Sequence, residues 1–369
     1  MVVVSDRGAA RLKSGHVWVY RSDVLSAEGV SPGALAPVAD RRGRRLGTAL
    51  YSSASQIAVR LLSEGPVEDP AILLRDRIQQ ALAFRDRVVR NTDAYRVVFS
   101  EADFLPGLIV DRYHDIVSLQ ILTQGMDAEA VRQTVISELV TRLNPASVVE
   151  RVDPRIRELE QLPPRQSAVL QGEKTETTFT MNGVQFHHSA FAGQKTGSFL
   201  DQRENYAAAA QYAHGEALDV FCYQGGFALH LVPRCTQVTG VDSSRPALEV
   251  ADRNAALNGV EVEWLEANAF DVLRDYAAAG RQFDTIVLDP PALAKSRKNM
   301  EAAMRGYKEL NLRALKMLRP DGILVTCSCS FHVSSEEFLQ VLAEAAANVR
   351  RTVRILELRT QSADHPFVL

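Results

Sequence analysis

The chain has 369 residues, of which 46% are hydrophobic and 24% charged, and its formal net charge is −3. This composition predicts two or three folded domains and excludes a globally disordered chain or one whose overall charge marks it for nucleic acid. There is no run of about 18 apolar residues and no apolar N-terminal signal region, so we expect a cytoplasmic protein that does not enter a membrane.

The first predicted domain, residues 1–66, consists of short strands separated by turns, which is typical of a small β-barrel. Residues 1–60 carry nine basic against four acidic side chains. A basic surface of this kind either attracts phosphate or is a solvated face. The candidates for RNA contact are four clustered arginines: Arg41, Arg42, Arg44 and Arg45.

The second predicted domain, residues 67–180, begins with AILLRDRIQQALAFRDRVVR, whose apolar residues recur at helical spacing. The strand-like segments YRVVFSE, LPGLIVDRY and DIVSLQIL follow, then a helix over about 127–143 and the strand-like SVVERV. This is a mixed α+β pattern, and it contains no evident chemical motif.

The third predicted domain, residues 181–369, alternates buried strands with helices. This alternation predicts a parallel sheet with helices on both faces, where ligands bind at the carboxyl ends of the strands. The expected strands are 216–223, 237–242, 260–268, 284–291 and 322–330.

A cofactor site is predicted at the first two of these strand ends. LDVFCYQGGF is a strand followed by a glycine turn, but it is neither GxGxxG nor a P-loop, and Gly225 and Gly226 alone mark only a turn. Asp242 ends the next strand, where a carboxylate accepts hydrogen bonds from ribose hydroxyls; it could equally cap the following helix. With Asn268 at an adenine position, the pattern fits S-adenosylmethionine as well as NAD.

The fourth strand ends in Asp289, followed by Pro290 and Pro291. A carboxylate at the mouth of a parallel sheet indicates function, and the prolines fix the backbone beside it. Three basic residues downstream either contact phosphate or belong to a solvated loop: Lys295, Arg297 and Lys298.

The fifth strand runs into LVTCSCSFH, which places two of the four cysteines one residue apart. Zinc requires four ligands, and only Cys327, Cys329 and His332 cluster here, so we expect no metal site. The pair is then either two inert core residues or a site with a nucleophilic thiolate facing the cofactor.

These segments together resemble the RlmI-like group of class I S-adenosylmethionine-dependent 23S rRNA cytosine-C5 methyltransferases. The resemblance covers nearly the whole chain. HVWVYRSDV and GRRLGTALYSSASQIAVRLLS resemble the group's PUA domain, and RVVFSEADFLPGLIVDRY its central α+β domain. NGVQFHHSAFAGQKTGSFLDQRENY, LDVFCYQGGF, GVDSSRPALEVADRNAALNG, LDPPALAKS and TCSCS follow the order of the catalytic motifs.

The resemblance implies an α/β protein in which a Rossmann-like methyltransferase domain follows a PUA barrel and a central α+β domain. It implies 23S rRNA as partner and allows a homodimer. Aligning LVTCSCS with related RNA cytosine methyltransferases makes Cys329 the nucleophile, with Cys327 as the second choice, and places Asp289 against the cytosine N3/N4 edge. The residues implied to contact S-adenosylmethionine are Gln194, Phe199, Gln202, Asp219, Phe221, Tyr223, Gly225, Asp242, Asn268 and Asp289.

Three other functions remain open at this stage. In the main alternative, the Asp-Pro-Pro motif methylates an amino group of guanine or adenine in rRNA and no cysteine is needed. The others are an RNA-binding scaffold without catalysis and an NAD-dependent enzyme. The glycine turn and the basic N-terminal segment disfavour the NAD-dependent enzyme.

Overall fold

The computed structural model describes residues 1–193, 197–294 and 297–368 and divides the chain into two compact units. The first unit comprises Met1–Met181, His188–Leu200 and Ser362–Leu369; the second comprises Asn182–His187 and Asp201–Gln361. The predicted division into three domains, at 66 and 180, stays a prediction.

The N-terminal part of the first unit is built on a six-stranded sheet. Its elements are β1 (Val2–Val4), α1 (Asp6–Lys13), β2 (Trp18–Tyr20), β3 (Val24–Ser26), β4 (Leu35–Ala39), β5 (Arg45–Tyr51) and β6 (Ile57–Ser63). The strand order is β2-β6-β5-β4-β1-β3, and every pair except β1–β4 is antiparallel. The sequence had not predicted α1, β1 or β3. The two strands are three residues each, too short for an alternating pattern to show.

The rest of the first unit carries helices against a second sheet of order β11-β10-β9-β8-β7. Leu74, Ile78 and Leu139 from two helices pack with Val110 and Leu119 of the sheet, and all five are almost fully buried. The elements are α2 (Pro70–Val88), β7 (Ala94–Phe99), β8 (Leu108–Tyr113), β9 (Ile116–Ile121), α3 (Gln124–Asp127), α4 (Glu129–Leu143), β10 (Ser147–Glu150), α5 (Pro154–Leu159), β11 (Ala168–Gly172) and β12 (Glu176–Met181). The strand β13 (Val184–Ser189) begins in the second unit and ends in the first.

The second unit is a parallel five-stranded sheet of order β16-β15-β14-β17-β18. Its elements are α6 (Arg203–Tyr212), β14 (Gly215–Val220), α7 (Gly226–Leu231), β15 (Cys235–Asp242), α8 (Arg245–Leu257), β16 (Glu263–Glu266), α9 (Ala269–Ala278), β17 (Phe283–Leu288), α10 (Met300–Met317), β18 (Leu318–Thr326) and α11 (Ser335–Asn348).

The course of the chain through this sheet decides where a ligand binds. From β14 the chain first runs outward through β15 to β16, then returns to β17 and β18 on the other side. Right-handed crossovers in opposite directions place α7 and α8 on one face and α9 and α10 on the other. The crevice between β14 and β17 is therefore the switch point, where open α/β sheets bind ligands. The predicted α/β fold class is confirmed, and the predicted strands recur with shifted ends.

Candidate active site

The carboxyl ends of β14, β15, β17 and β18 lie along one edge of the second unit's sheet. The structure brings most of the predicted catalytic and cofactor-binding residues to these ends. They are Asp219, Phe221, Tyr223, Gly225, Asp242, Asp289, Cys327 and Cys329.

The turn after β14 holds its backbone in an unusual conformation. Phe221 and Tyr223 have φ of 68° and 49°, and Gly225 has φ of 83°. Left-handed backbone costs a residue with a side chain on the order of 1 kcal/mol, and such positions concentrate at functional sites. A Cβ on Gly225 would also lie 2.8 Å from the Trp264 ring. The turn therefore needs glycine at this position.

Asp219, next to the end of β14, is completely buried. Its Oδ2 accepts a hydrogen bond of 2.8 Å from the amide of Ala228 in α7, and its Oδ1 has no partner among the described residues. Burial raises the pKa of Asp219 to about 8, and the charges of Asp289 and Asp242 act in the same direction, against the Ala228 hydrogen bond. A buried carboxyl oxygen without a partner is a candidate acceptor for a ligand.

Asp242 joins the ends of two strands. Its Oδ2 accepts from the amide of Tyr223 at 2.9 Å, and its Oδ1 accepts from the amide of Ser244 at 2.8 Å. The helix-cap alternative for Asp242 is wrong, since the N-cap of α8 is Ser244, whose hydroxyl accepts from Ala247. Each carboxylate oxygen keeps a second lone pair for a ligand hydroxyl.

Asn268 is exposed and caps α9. Its Oδ1 accepts from the amides of Phe270 at 2.9 Å and Asp271 at 3.4 Å. A hydrogen bond from the amine of an adenine at this position would need this same oxygen, so the cap competes with the predicted adenine contact. The sequence had no means of separating the two roles.

Asp289 lies in a small polar cluster. Gln202 donates from Nε2 to its Oδ2 at 3.0 Å, and the Cys327 thiol also donates to its carboxylate. Gln202 is held in turn by Asn205, whose Nδ2 donates to Oε1 at 2.7 Å. Burial raises the pKa of Asp289 to about 6, with the charge of Asp201 adding to the effect, and both hydrogen bonds lower it. The carboxyl group can therefore exchange a proton near neutral pH.

The two cysteines differ sharply in environment. Both lie beyond β18, which ends at Thr326, so the predicted strand through 330 is wrong and the pair belongs to a loop. Cys327 is half-buried, and burial beside Asp289 raises the pKa of its thiol well above the usual range. Cys329 is exposed, and its Sγ lies 3.6 Å from the carbonyl oxygen of Pro290.

Sequence reasoning missed the group that holds this cysteine loop. Tyr307 of α10 is fully buried, and its hydroxyl lies 2.8 Å from Ser330 Oγ and accepts from Ser328 Oγ at 3.0 Å. Ser330 Oγ also accepts from the amide of Ala294 at 3.1 Å. Tyr307 thus joins both sides of Cys329 to the segment that follows Asp289. In the sequence Tyr307 appears as one more apolar position of a helix.

Several predicted residues lie outside this group. Gln194 and Lys295 fall outside the described residues, as does the side chain of Arg297. Phe199 is half-buried in the first unit. Lys298 is exposed in a short helical turn that precedes α10.

The four predicted RNA-binding arginines surround the β4–β5 turn and are all exposed. Buried Asp40 organises the turn by accepting from the amides of Arg42 and Arg44 and from the Arg44 side chain at 2.8 Å. Those hydrogen bonds lower the pKa of Asp40 in spite of its burial. Within the described chain Arg41, Arg42 and Arg45 form no ion pair, so their charges face solvent. Arg44, by contrast, forms an ion pair with Asp40.

The described residues contain neither a metal-binding cluster nor a helix that could cross a membrane. No group of three His, Cys, Asp or Glu side chains there is arranged to hold a metal ion. Nor does any helix in those ranges combine the length and the apolar character needed to cross a bilayer.

Comparisons with known proteins match both parts of the chain. The model of a PUA-like domain matches residues 2–64, and that of an S-adenosylmethionine-dependent methyltransferase matches residues 97–365. A putative methyltransferase, SMU.776, solved in complex with SAH, superposes with a TM-score of 0.84 at 18% identity over 100% of this chain and 95% of that one. A putative SAM-dependent methyltransferase from Streptococcus mutans gives 0.82 at 17% identity, over 99% and 95%. The chain is therefore an S-adenosylmethionine-dependent methyltransferase with an N-terminal PUA-like domain.

Curated relatives narrow the class. The ribosomal RNA large subunit methyltransferase I of Shewanella denitrificans is 37% identical over 96% of this chain and 92% of its own length. That of Tolumonas auensis is 38% identical over 95% and 91%. The chain belongs to the ribosomal RNA large subunit methyltransferase I family, and the resemblance found in the sequence is confirmed.

The residues at the sheet edge fit the cofactor of this family. The unpartnered Oδ1 of Asp219 and the free lone pairs of Asp242 are acceptors, as the hydroxyl and ammonium groups of S-adenosylmethionine require. At Gly225 the space that a side chain would need is filled by the Trp264 ring. The cofactor contacts of Asp219, Asp242 and Gly225 stay predictions; the cofactor would supply an electrophilic methyl group.

Proposed function

We propose that this chain methylates C5 of a cytosine in 23S rRNA, with Cys329 as a covalent nucleophile. The observation that carries the proposal is the exposed Cys329 thiol beside Pro290, at the sheet edge that also holds Asp289 and Asp242. The names of the relatives support ribosomal RNA of the large subunit as substrate.

The chemistry explains why a thiol is needed. Cytosine C5 is a weak nucleophile, and covalent catalysis divides a difficult step into easier ones. The Cys329 thiolate adds to C6, the π pair of C5–C6 shifts to C4–C5, and the C4–N3 pair moves onto N3. C5 then attacks the methyl carbon that S-adenosylmethionine would supply, and the methyl–sulfur bond breaks to leave S-adenosylhomocysteine. A base takes the C5 proton, the C5–H pair re-forms the C5–C6 double bond, and the C6–sulfur pair leaves with the Cys329 thiolate. The target base must leave its stack for this to happen.

Asp289 and Cys327 have supporting roles in this proposal. Addition at C6 builds negative charge toward N3, and the carboxylic acid form of Asp289 donates a hydrogen bond there. With a pKa of about 6, Asp289 is partly in that form near neutral pH. Cys327 is a poor nucleophile because its thiol pKa is raised, and it acts as a donor that orients Asp289.

At a distance from the reacting base, positively charged side chains bind the RNA. We assign Arg41, Arg42 and Arg45, which face solvent unpaired, to contacts with rRNA phosphates, with Lys298 as a further contact. Arg44, already paired with Asp40, contributes less. The predicted homodimer stays a prediction.

The test compares two cysteine variants. A strain that lacks the gene is complemented with wild type, Cys329→Ala or Cys327→Ala. The modified nucleotide in its 23S rRNA is then mapped by mass spectrometry. We expect a 5-methylcytidine that disappears in the deletion strain and is not restored by Cys329→Ala, whereas Cys327→Ala restores it at a reduced rate. The proposal is refuted if Cys329→Ala restores the modification fully. It is also refuted if the methyl group that the deletion strain lacks belongs on a nitrogen of guanine or adenine. Either result favours amino-group methylation.

A further inference from the structure

Phe331 is the most exposed large hydrophobic side chain of the described chain, with 94% of its surface in water. It follows the proposed nucleophile by two residues. Single exposed apolar residues are common, but a fully exposed phenylalanine beside a reactive thiol leaves the largest apolar group of the loop without a use in the fold.

The backbone that carries the ring is nevertheless held in place. Phe331 and His332 are the central residues of a turn closed by a hydrogen bond of 3.0 Å from the Val333 amide to the Ser330 carbonyl. Ser330 is buried and fixed by Tyr307 and by the amide of Ala294. The turn therefore starts from an immobilised residue.

The other end of the turn is fixed as well. α11 begins directly after it with a capping box, in which Ser334 and Glu337 satisfy each other's backbone amides. Phe338, one turn into α11, packs edge-on against Tyr307 with ring centroids 5.3 Å apart. A turn anchored at both ends presents the Phe331 ring to solvent at a defined position beside Cys329.

The surroundings of the ring favour a base over a phosphate. The His332 ring lies at its edge, with centroids 5.4 Å apart at 76°. Glu336 and Glu337 are exposed in the first turn of α11, and their charges repel a phosphate group. An uncharged aromatic face suits the flat face of a nucleobase, which stacks on aromatic rings regardless of sequence.

We propose that Phe331 is a stacking platform for the nucleobase adjacent to the target nucleotide, with His332 bordering it. The inference rests on the proposed function, because removing the target base from its stack exposes the face of its neighbour. The Phe331 ring replaces the lost stacking partner and keeps the flanking strand in register with Cys329.

The experiment measures the affinity of a 23S rRNA fragment that carries the mapped cytosine. Wild type is compared with Phe331→Ala, Phe331→Trp and a control, Phe367→Ala, which removes another exposed phenylalanine. Stacking on one aromatic ring is worth about 1–3 kcal/mol per base, so Phe331→Ala should weaken RNA binding by roughly 5- to 150-fold. Phe331→Trp and Phe367→Ala should bind as wild type does, and S-adenosylmethionine affinity should be unchanged in all.

An abasic nucleotide on either side of the cytosine makes the test specific. At one of the two positions, the abasic nucleotide should lower the RNA affinity of wild type as much as Phe331→Ala does. At that position it should not lower the RNA affinity of the Phe331→Ala variant any further. Equal RNA affinity of Phe331→Ala and wild type, or additive losses at both sides, would overturn the inference. Binding is measured in a Cys329→Ala background, so the result stands apart from the outcome of the cysteine test.

Discussion

At the scale of single residues, the proposed chemistry depends on the carboxyl group of Asp289 and the donors around it. Burial and the charge of Asp201 raise its pKa, while Gln202 and Cys327 lower it, and the result is about 6. If the acid form donates to cytosine N3, then activity falls as pH rises through the pKa of Asp289. The pH profile of activity therefore has a descending limb, and the hydrogen bonds that Asp289 accepts set the pH at which this limb lies.

Removing either donor should move the limb to higher pH, because a hydrogen bond to the carboxylate stabilises the ionised form. Such bonds are worth about 1.5–3 kcal/mol and one pKa unit about 1.4, so we expect Gln202→Leu or Cys327→Ala to shift the limb upward by roughly one unit. The measurement is the pH profile of kcat/KM between pH 5 and 9.

The matched control is Cys327→Ser, which keeps a donor at the same position and should leave the limb near that of wild type. Activity that rises with pH through the pKa of Asp289 would show that the ionised carboxylate is the active form. A limb that stays in place in both donor-free variants would show that it does not report Asp289.

At the scale of elements, the site depends on how a loop is fixed to a helix. The cysteines follow β18 rather than lie on it, so no strand pairing holds them. Tyr307 of α10 does so instead, through Ser328 and Ser330 on either side of Cys329. Its ring is buried against Phe338 of α11, so both helices contribute to the position of the thiol.

Tyr307→Phe removes only the hydroxyl and should reduce kcat about tenfold, the equivalent of roughly 1.4 kcal/mol in the barrier. The affinity for S-adenosylmethionine should change less than twofold, because the predicted cofactor residues lie on other elements. Single-turnover kinetics and calorimetry measure the two quantities.

Tyr276→Phe is the control, since Tyr276 of α9 packs against Phe283 away from the cysteine loop. Should Tyr307→Phe turn over as fast as this control, the hydroxyl would only stabilise the fold and would not position the nucleophile.

At the scale of the whole molecule, the sequence predicted the catalytic sheet well for a physical reason. Strands buried on both faces are continuous apolar runs, and their ends meet at one edge, so Asp242, Asp289 and the cysteines could be assigned to one site. The left-handed backbone at Phe221 and Tyr223 could not be predicted, since neither residue type favours it.

Other features depend on contacts between residues that are distant in the sequence. The sequence around Tyr307 does not indicate that its hydroxyl forms hydrogen bonds with two serines some twenty residues later. The role of Asn268 as the cap of α9 becomes visible only in the structure. The N-terminal helix α1 was missed because eight residues give a weak periodic signal. The order of motifs along the chain was therefore a stronger guide to family than any one element was to structure.

The most direct test of the account is to trap its covalent intermediate. An RNA that carries 5-fluorocytosine at the mapped position has no C5 proton to lose, so the bond between Cys329 and C6 should persist once methyl transfer has occurred. We predict a protein–RNA complex that forms only with S-adenosylmethionine and whose cross-linked peptide carries the RNA on Cys329. A complex through Cys327, or no complex from an enzyme that methylates ordinary RNA, would contradict the account.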